Sequence, residues 1–263
     1  MKIVLDMRKT LQQNAALYFE QAKKAKKKLA GAVAMLEKAK RDREQEQQKI
    51  QHQQEKAAEK QEAVKRKMQW YEKFRWFKSS EGFLVIGGRD ATTNEIVIKK
   101  HTEKHDVVFH TDMAGSPFFV VKKNSNSGKE IGAATIQEVA NATCTFSRAW
   151  KLGLTSIEVF WVKPEQVSKT TEAGEYMPKG AFMIRGKTNY ISVEMDCAIG
   201  ITAEGEIMAG PLAAVQQHCT KLLKVLQGHE KASDLAKRIR KQVGGELDEI
   251  IRVLPAGGGK ITK

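Results

Sequence analysis

Residues 83–100 read FLVIGGRDATTNEIVIKK. Two apolar runs rich in β-branched residues, FLVIG and EIVIK, flank a polar connection that contains two glycines and an Asp. Runs of this kind favour strands, so we predict that these two form a β-hairpin. DVVFH, PFFVVK and SIEVFWV have the same character further along the chain. The sequence therefore predicts an α+β fold whose mixed α/β globular domain contains a mainly antiparallel sheet.

The chain before this domain has the composition of a helix. From Thr10 to about Phe77 it contains no proline, and Gly31 is its only glycine. Ala, Lys, Gln and Glu dominate, and all are good helix formers. Apolar residues between Leu11 and Ala39 follow an unbroken 4-3 spacing, which is typical of a coiled-coil seam. We predict one long N-terminal coiled-coil helix.

Two details of this arm leave alternatives open. A helical hairpin that turns near residues 43–48 is possible, although no Gly, Pro or Asn marks a turn there. The aromatic-rich stretch WYEKFRWF, which ends at Phe77, is interpreted as the end of the helix docking on the domain, in preference to a base-stacking surface.

The C-terminal half predicts further helices and strands. GAATIQEVANATCTFSRAWKLG predicts a helix that ends near Gly153, and AFMIRGK and YISVEM predict neighbouring strands. After AIGIT we predict helices over about 211–227 and 229–243, then a short piece, ELDEIIRVL. The predicted segments are a coiled-coil arm (1–77), the α/β domain (78–200), a C-terminal helical extension (201–254) and a flexible tail, PAGGGKITK (255–263).

The charge of the chain points to a polyanionic partner. Its 263 residues include 45 Lys and Arg against 31 Asp and Glu, a net charge of +14. Residues 1–78 contain 21 of the basic and 10 of the acidic residues, a net charge of +11. Residues 79–263 contain the other 24 basic and 21 acidic residues, a net charge of +3. The N-terminal arm therefore carries most of the basicity.

The cysteines and the apolar runs indicate a cytoplasmic protein. Cys144, Cys197 and Cys219 are far apart and form no CxxC pair, so neither a disulfide framework nor a zinc ribbon is expected. No apolar run approaches the roughly 20 residues that span a bilayer, and MKIVLDMRKT lacks the apolar core of a signal peptide. We predict no membrane partner.

A catalytic centre is not evident in the sequence. His101, His105, His110 and Asp112 are the nearest approach to a cluster, but no second group supplies the remaining ligands of a zinc site. GxSxG, Walker A and HExxH patterns are absent. We predict no catalytic residue, metal or cofactor, and keep a hydrolytic or RNA-modifying enzyme built on His110 and Asp112 as the alternative.

Cationic loops beside strands predict RNA binding instead. Lys and Arg on loops near tyrosines match the way in which proteins hold RNA, through phosphate contacts and stacking. QVSK and RGK are the strongest examples, with Tyr176 and Tyr190 nearby. These loops also hold Lys99, Lys100 and Lys179, and the candidate cations drawn from them are Arg89, Lys122, Lys123, Lys169, Arg185 and Lys187.

Several blocks together resemble one family. WYEKFRWFKSSEGFLVIGGRDATTNEIVIKK, DVVFHTDMAGSPFFVVK, FSRAWK and WVKPEQVSKTTEAGEYMPKGAFMIRGKTNY are similar to the NFACT-R domain of ribosome quality-control factors, called RqcH in prokaryotes and NEMF in animals. The blocks cover about residues 66–200. The stretch LDMRKTLQQNAALYFEQAKKAKKKLAGAVAMLEKAK also resembles the returning coiled-coil helix of that family.

The resemblance implies an RNA-binding module that contacts rRNA and tRNA on large ribosomal subunits carrying a stalled peptidyl-tRNA. It adds candidate residues by motif: Arg89 and Asp90, Asn94 and Glu95, His110 and Asp112, Gln166, Ser168 and Lys169, Glu175 and Tyr176, and Arg185 and Lys187. Of these, Asn94, His110 and Tyr176 join the cations as expected RNA contacts.

The chain also departs from the family. The NFACT-N domain, the helix-hairpin-helix module and the outgoing helix that pairs with the returning one are not in this sequence, and HTDMAGSP replaces the usual HADxxGA pattern. The resemblance therefore implies a fragment, a split subunit or a stand-alone protein that does not drive tailing of the nascent chain alone. The expected partners are rRNA and tRNA, with an NFACT-N-containing chain or a second copy bound through the coiled coil. A tRNA-binding adaptor and a scaffold with a passive globular end remain as alternatives.

Overall fold

A computed structural model describes residues 3–62, 68–126, 128–170 and 177–262. The chain divides into two compact units, residues 1–67 and 68–263. The first unit is built on one helix, and the second is a mixed α/β unit with antiparallel sheets and C-terminal helices. The predicted fold class is therefore confirmed.

Helix α1, Leu11–Glu62, is unbroken, so the hairpin alternative near residues 43–48 is wrong. Its start has the predicted capping box, since Gln13 N donates to Thr10 Oγ1 (3.2 Å) and Thr10 N donates to Gln13 Oε1 (3.0 Å). The buried amide of Asn14 holds the preceding segment, as Asp6 N donates to Asn14 Oδ1 at 2.9 Å. The predicted continuation of the helix to Phe77 is wrong, because Arg75–Lys78 form a strand.

The second unit contains a six-stranded antiparallel sheet with the order β1-β2-β4-β3-β5-β8. Its strands are β1 (Arg75–Lys78), β2 (Leu84–Gly87), β3 (Val107–Thr111), β4 (Phe119–Lys122), β5 (Val159–Val162) and β8 (Asn189–Ile191). Strands β6 (Val167–Ser168) and β7 (Met183–Ile184) form a separate two-stranded ribbon. The segments predicted as neighbouring strands, AFMIRGK and YISVEM, therefore belong to different sheets, because β7 pairs with β6 and β8 pairs with β5.

A second antiparallel sheet has the order β10-β9-β11-β12. It consists of β9 (Ala198–Thr202), β10 (Ile207–Gly210), β11 (Cys219–Glu230) and β12 (Gly259–Thr262). Two predictions fail here. The helix predicted over 211–227 ends at His218 and is followed by β11, and the predicted flexible tail contains β12, which pairs with β11. Both failures have the same cause, since each segment completes a sheet with strands distant in the chain.

The helices of this unit pack on the sheets. They are α2 (Ala91–His101), α3 (Ala133–Thr145), α4 (Arg148–Leu152), α5 (Leu212–His218), α6 (Ala232–Val243) and α7 (Leu247–Val253). The prediction that EIVIK is a strand is wrong, because this run lies in α2. The single helix predicted up to Gly153 is two helices, α3 and α4, and Gly153 ends the second in a left-handed conformation (φ 72°).

The core lies between the first sheet and its helices and continues into the second sheet. The side chains of Phe77, Phe109 and Phe119 are fully buried there. Strand β1 packs against β10, where a side chain on Gly210 would lie 2.9 Å from the Phe77 ring. The WYEKFRWF stretch thus anchors on the domain through buried aromatics, as predicted, but from a turn and a strand rather than from a helix end.

The described part of the chain lacks both a membrane-spanning helix and a metal-binding cluster. Within it, no helix is long and apolar enough to cross a membrane. Within the same residues, no group of three or more His, Cys, Asp or Glu side chains could hold a metal ion.

Candidate nucleic-acid interface

Three segments that are distant in the sequence line one cleft of about 350 Å³. They are the β2–α2 turn with the first turn of α2, the end of β3 with the β3–β4 connection, and the loop that precedes β7; Phe146, between α3 and α4, completes the lining. The lining includes Asp90, Asn94, His110, Lys179 and Phe182. The motif blocks GGRDATTNE, HTDMAGSP and PKGAF therefore meet at one place.

Asn94 fixes the wall of the cleft. This buried side chain on α2 accepts a hydrogen bond from Phe118 N (3.1 Å) and donates one to Ser116 O (3.3 Å), so it locks the β3–β4 connection against the helix. A side chain at Gly88 would lie 1.8 Å from Asn94 Oδ1, which explains the glycine at that position. The structure thus gives Asn94 a positioning task inside the protein.

Glu95 and Asp90 hold the first turns of α2 and the loop that precedes β7. Glu95 accepts hydrogen bonds from Lys99 Nζ (2.6 Å) and Gly180 N (3.3 Å) and lies 3.6 Å from Lys169 Nζ. The bond from Lys99, with smaller effects from Gly180 and Lys169, lowers the pKa of Glu95 to about 2. Asp90 is the N-cap of α2, and its carboxylate accepts a hydrogen bond from Thr93 N at 2.8 Å.

Arg89 points into the protein. Its guanidinium donates hydrogen bonds to the backbone carbonyls of Phe74 (3.0 Å) and Glu72 (3.4 Å), so it ties the turn before β1 to the cleft. Burial, followed by the charge of nearby Arg252, lowers the pKa of Arg89 to about 10. The side chain therefore holds the fold at this point.

His110 and Asp112 occupy different environments. The imidazole of His110 stacks on Phe118, with ring centroids 3.8 Å apart, and also meets the edge of Phe160. Burial lowers the pKa of His110 to about 4, so this side chain is neutral at pH 7. The exposed carboxylate of Asp112 accepts a hydrogen bond from Tyr190 Oη at 3.0 Å.

Lys122 and Lys123 lie outside the cleft. The ammonium group of Lys122 is buried and bonds to His101 O, Glu103 and Asp106. Lys123 Nζ pairs with the exposed carboxylate of Glu130 at 2.6 Å. Neither lysine lines the same cavity as the other motif residues.

The β6–β7 ribbon presents the remaining motif residues. Gln166 Nε2 donates to the carbonyls of Arg185 and Lys187, both at 2.9 Å, and Arg185 N donates to Gln166 O at 2.9 Å. These three bonds fix the turn between Arg185 and Lys187, where Gly186 has a φ of 82°. Both cationic side chains are exposed. We call this turn, residues 185–187, the cationic turn.

Two further motif residues lie near the ribbon, and two others fall outside the described part. Lys169 Nζ donates to Pro178 O at 3.2 Å and lies 4.9 Å from the centre of the Phe182 ring. Ser168 belongs to β6, and its buried hydroxyl has no hydrogen-bond partner among the described residues. Glu175 and Tyr176 lie outside the residues that the structure describes.

Comparison with known proteins decides the family. The family described as "NFACT protein RNA binding domain" matches residues 73–186, which include all three segments of the cleft and the cationic turn up to residue 186. The archaeal Rqc2 homolog aRqcH of Methanocaldococcus jannaschii is 41% identical over 207 residues. The chain belongs to the NFACT-R family. NEMF of Homo sapiens, a ribosome quality control complex subunit, is 36% identical over 178 residues.

These relatives are much longer than the present chain. The match to the archaeal protein covers 76% of this chain and 30% of that protein, and the match to human NEMF covers 68% and 16%. Ribosome quality control complex subunit 2 of Schizosaccharomyces pombe is 40% identical over 126 residues, which is 48% of this chain and 12% of that protein.

Sequence reasoning missed the aromatic pair of the NFACT-R cleft, and it counted Lys179 among the loop cations without choosing it as a candidate contact. Phe118 and Phe182 form an edge-to-face pair (5.4 Å) on its lining, and exposed Lys179 stands at its rim close enough to Asp90 to lower the pKa of that carboxyl, although hydrogen bonds from Thr93 contribute more. The available signal was the glycine after Lys179. Gly180 has a φ of 80°, and a side chain there would lie 2.6 Å from the backbone of α2, which marks a loop pressed against a helix.

Proposed function

We propose that this chain is an RNA-binding module of ribosome-associated quality control. The observation that carries the proposal is the cationic turn, together with Lys179 at the rim of the cleft. Arg185, Lys187 and Lys179 are exposed, and none of them forms an ion pair with a carboxylate among the described residues. Exposed cations without an acidic partner in the described part of the chain, two of them on a turn held by hydrogen bonds, suit the phosphates of RNA.

The relatives support the biological setting of this proposal. Their names place them in ribosome quality control, and the matched family is described as RNA-binding. We infer that this chain binds rRNA or tRNA on large ribosomal subunits in the cytoplasm. We propose that its own contribution is to hold and orient RNA. His110 and Asp112, the candidates for a catalytic centre, are in contact with Phe118 and Tyr190 respectively.

The hydrolytic alternative has less support. A general base is most effective when its pKa lies near the working pH, and the pKa of His110 is about 4. The imidazole stacks on an aromatic ring, and Asp112 is engaged by Tyr190. We therefore propose that His110 packs the floor of the cleft and that Asp112 positions Tyr190 beside β5.

For the N-terminal arm we propose a role as a partner-binding coiled coil. Its helix exposes apolar side chains to solvent, which favours association with another helix. Those side chains include Leu11, Leu17, Leu29, Val33 and Leu36. The proposed occupant is an NFACT-N-containing chain or a second copy of this chain.

The double substitution Arg185→Ala/Lys187→Ala tests the cationic turn. If both side chains contact phosphates, the slope of log affinity for tRNA against log salt should fall by about 2, because each phosphate contact contributes about 1. Binding at low salt should weaken equally for RNAs of different sequence. Fluorescence anisotropy with labelled tRNA over a salt series measures both quantities.

A matched control is available on α6. Lys237→Ala/Lys241→Ala removes the same net charge from exposed positions far along the chain. This control should leave the slope within experimental error of the parent protein. Equal losses in the two variants would show that only net charge matters and would refute the role of the turn. Recovery of large subunits from lysate, lost after ribonuclease treatment, tests the wider proposal.

A further inference from the structure

Trp70 differs from the other aromatic residues of its segment. Phe74, Trp76 and Phe77 are almost fully buried, whereas 46% of Trp70 is exposed. Its indole ring lies nearly parallel to the imidazole of His101, with centroids 4.9 Å apart and an angle of 16° between the planes. One face of the indole is therefore covered by an aromatic ring, while the residue as a whole stays open to solvent.

Neighbouring side chains hold this pair in place. Tyr71 meets Trp70 edge-on at 5.8 Å, and Phe74 meets His101 edge-on at 5.1 Å. Burial lowers the pKa of His101, and the nearby charges of Lys73, Lys122 and Lys100 lower it further. The imidazole is thus neutral at pH 7, so the indole rests on a neutral, flat surface rather than on a cation. We call Trp70 and His101 the aromatic platform.

The surroundings of the platform are cationic. Lys73 and Lys100 are exposed and close enough to His101 to influence its titration. The nearby carboxylates of Glu103 and Asp106 are engaged by the buried Lys122. Among the described residues neither exposed lysine forms an ion pair with a carboxylate, although Lys73 Nζ lies 5.0 Å from the centre of the Phe74 ring, so both can meet an anion that approaches the platform.

We propose that the aromatic platform stacks an unpaired base of the bound RNA, with the adjoining phosphates against Lys73 and Lys100. An exposed aromatic ring flanked by lysines is the arrangement by which proteins hold single-stranded RNA, because every base has a face to stack and every nucleotide has a phosphate. Bases inside a duplex are covered on both faces, so the platform selects unpaired nucleotides. This inference rests on the proposed function and adds the kind of RNA that is bound.

The platform is a second contact, separate from the cleft. Helix α2 begins at the cleft with Ala91 and ends at the platform with His101. At about 1.5 Å per residue, the two ends of this helix lie about 15 Å apart. This distance is short enough for an unpaired segment of a few nucleotides to span.

Two substitutions at Trp70, measured with two RNAs, test the inference. Trp70→Ala removes the stacking surface and Trp70→Tyr keeps one. With a short unstructured single-stranded RNA, Trp70→Ala should raise Kd by about 5- to 150-fold, the range that corresponds to the loss of one stacked base. Trp70→Tyr should stay within about threefold of the parent protein, and Kd for a blunt RNA duplex should change less than about twofold in either variant.

The outcomes separate this inference from the proposed function. The inference is overturned if Trp70→Ala leaves single-strand binding unchanged, or if it weakens single strand and duplex equally. In both cases, a loss of RNA affinity in Arg185→Ala/Lys187→Ala would leave the proposed function standing. If the parent protein binds neither RNA, the proposed function itself fails. Thermal unfolding of Trp70→Ala, expected near that of the parent because the side chain is half exposed, confirms that a lost affinity reflects a lost contact.

Discussion

Replacing Lys122 with methionine should lower the free energy of unfolding by about 3–5 kcal/mol. The Lys122 ammonium is buried beside Asp106, whose side chain is only 1% exposed, so removal of the lysine leaves a carboxylate buried without its counter-ion. The substitution also removes bonds to His101 O (3.0 Å) and Glu103 (3.1 Å). Chemical denaturation at pH 7 measures this loss.

Two companion variants make this prediction specific. Lys123→Met removes the neighbouring lysine, whose partner Glu130 is exposed, and should cost less than about 1 kcal/mol. Lys122→Met/Asp106→Asn neutralises the buried charge and should recover much of the loss. If Lys122→Met is as stable as Lys123→Met, the buried pair does not support the fold. The folded fraction of Lys122→Met should bind tRNA with the affinity of the parent protein. Weaker binding would support the sequence-based prediction that Lys122 contacts RNA phosphates.

The stability of the protein should fall by up to about 3 kcal/mol as the pH drops from about 6.5 to about 4, through His110. Burial against Phe118 lowers the pKa of His110 from 6.5 to about 4. The unfolded chain therefore binds a proton in this window that the folded protein excludes. Above pH 6.5 the effect is absent, and below about pH 4 it is complete. Denaturant unfolding at a series of pH values measures the slope.

The variant His110→Gln should flatten that slope. His101, whose pKa is also lowered, contributes in the same direction, so part of the slope remains. The half-buried carboxylate of Glu95, with a pKa of about 2, titrates at lower pH. His105→Gln, at an exposed position, serves as the control for a His-to-Gln substitution outside the cleft. An identical slope in the parent protein and in His110→Gln would contradict the burial argument.

The strands that lie next to each other in the first sheet were readable from the sequence. β2, β3, β4 and β5 coincide with apolar, β-branched runs, because each is buried on both faces of its sheet. Helix α2 could not be predicted in the same way, because its run EIVIK has the composition of a strand. Its local signal was the capping box of Asp90 with Thr93, where Asp90 Oδ1 accepts from Thr93 N at 2.8 Å.

The candidate site was readable in part. The motif blocks named candidate segments, and the structure brings three of them to one cleft. The task of each side chain was not readable, because a Lys or Arg looks the same in sequence whether it is buried or exposed. Lys122 and Arg89 are engaged inside the protein, whereas Arg185 and Lys187 remain exposed. The RNA contacts themselves stay a prediction.

The amino-acid sequence alone determined the helical arm, the α+β class and the family blocks, since these depend on local propensity and on residues adjacent in the chain. Only the tertiary structure decided that β11 is a strand rather than a helix, because its apolar spacing suits either and its partners β9 and β12 lie elsewhere in the chain. It also decided which cations are buried and which are exposed. The sequence gives the number and position of the charged residues. Their burial and their ion pairs depend on residues that folding brings together, and burial and pairing determine which charged side chains can bind a ligand.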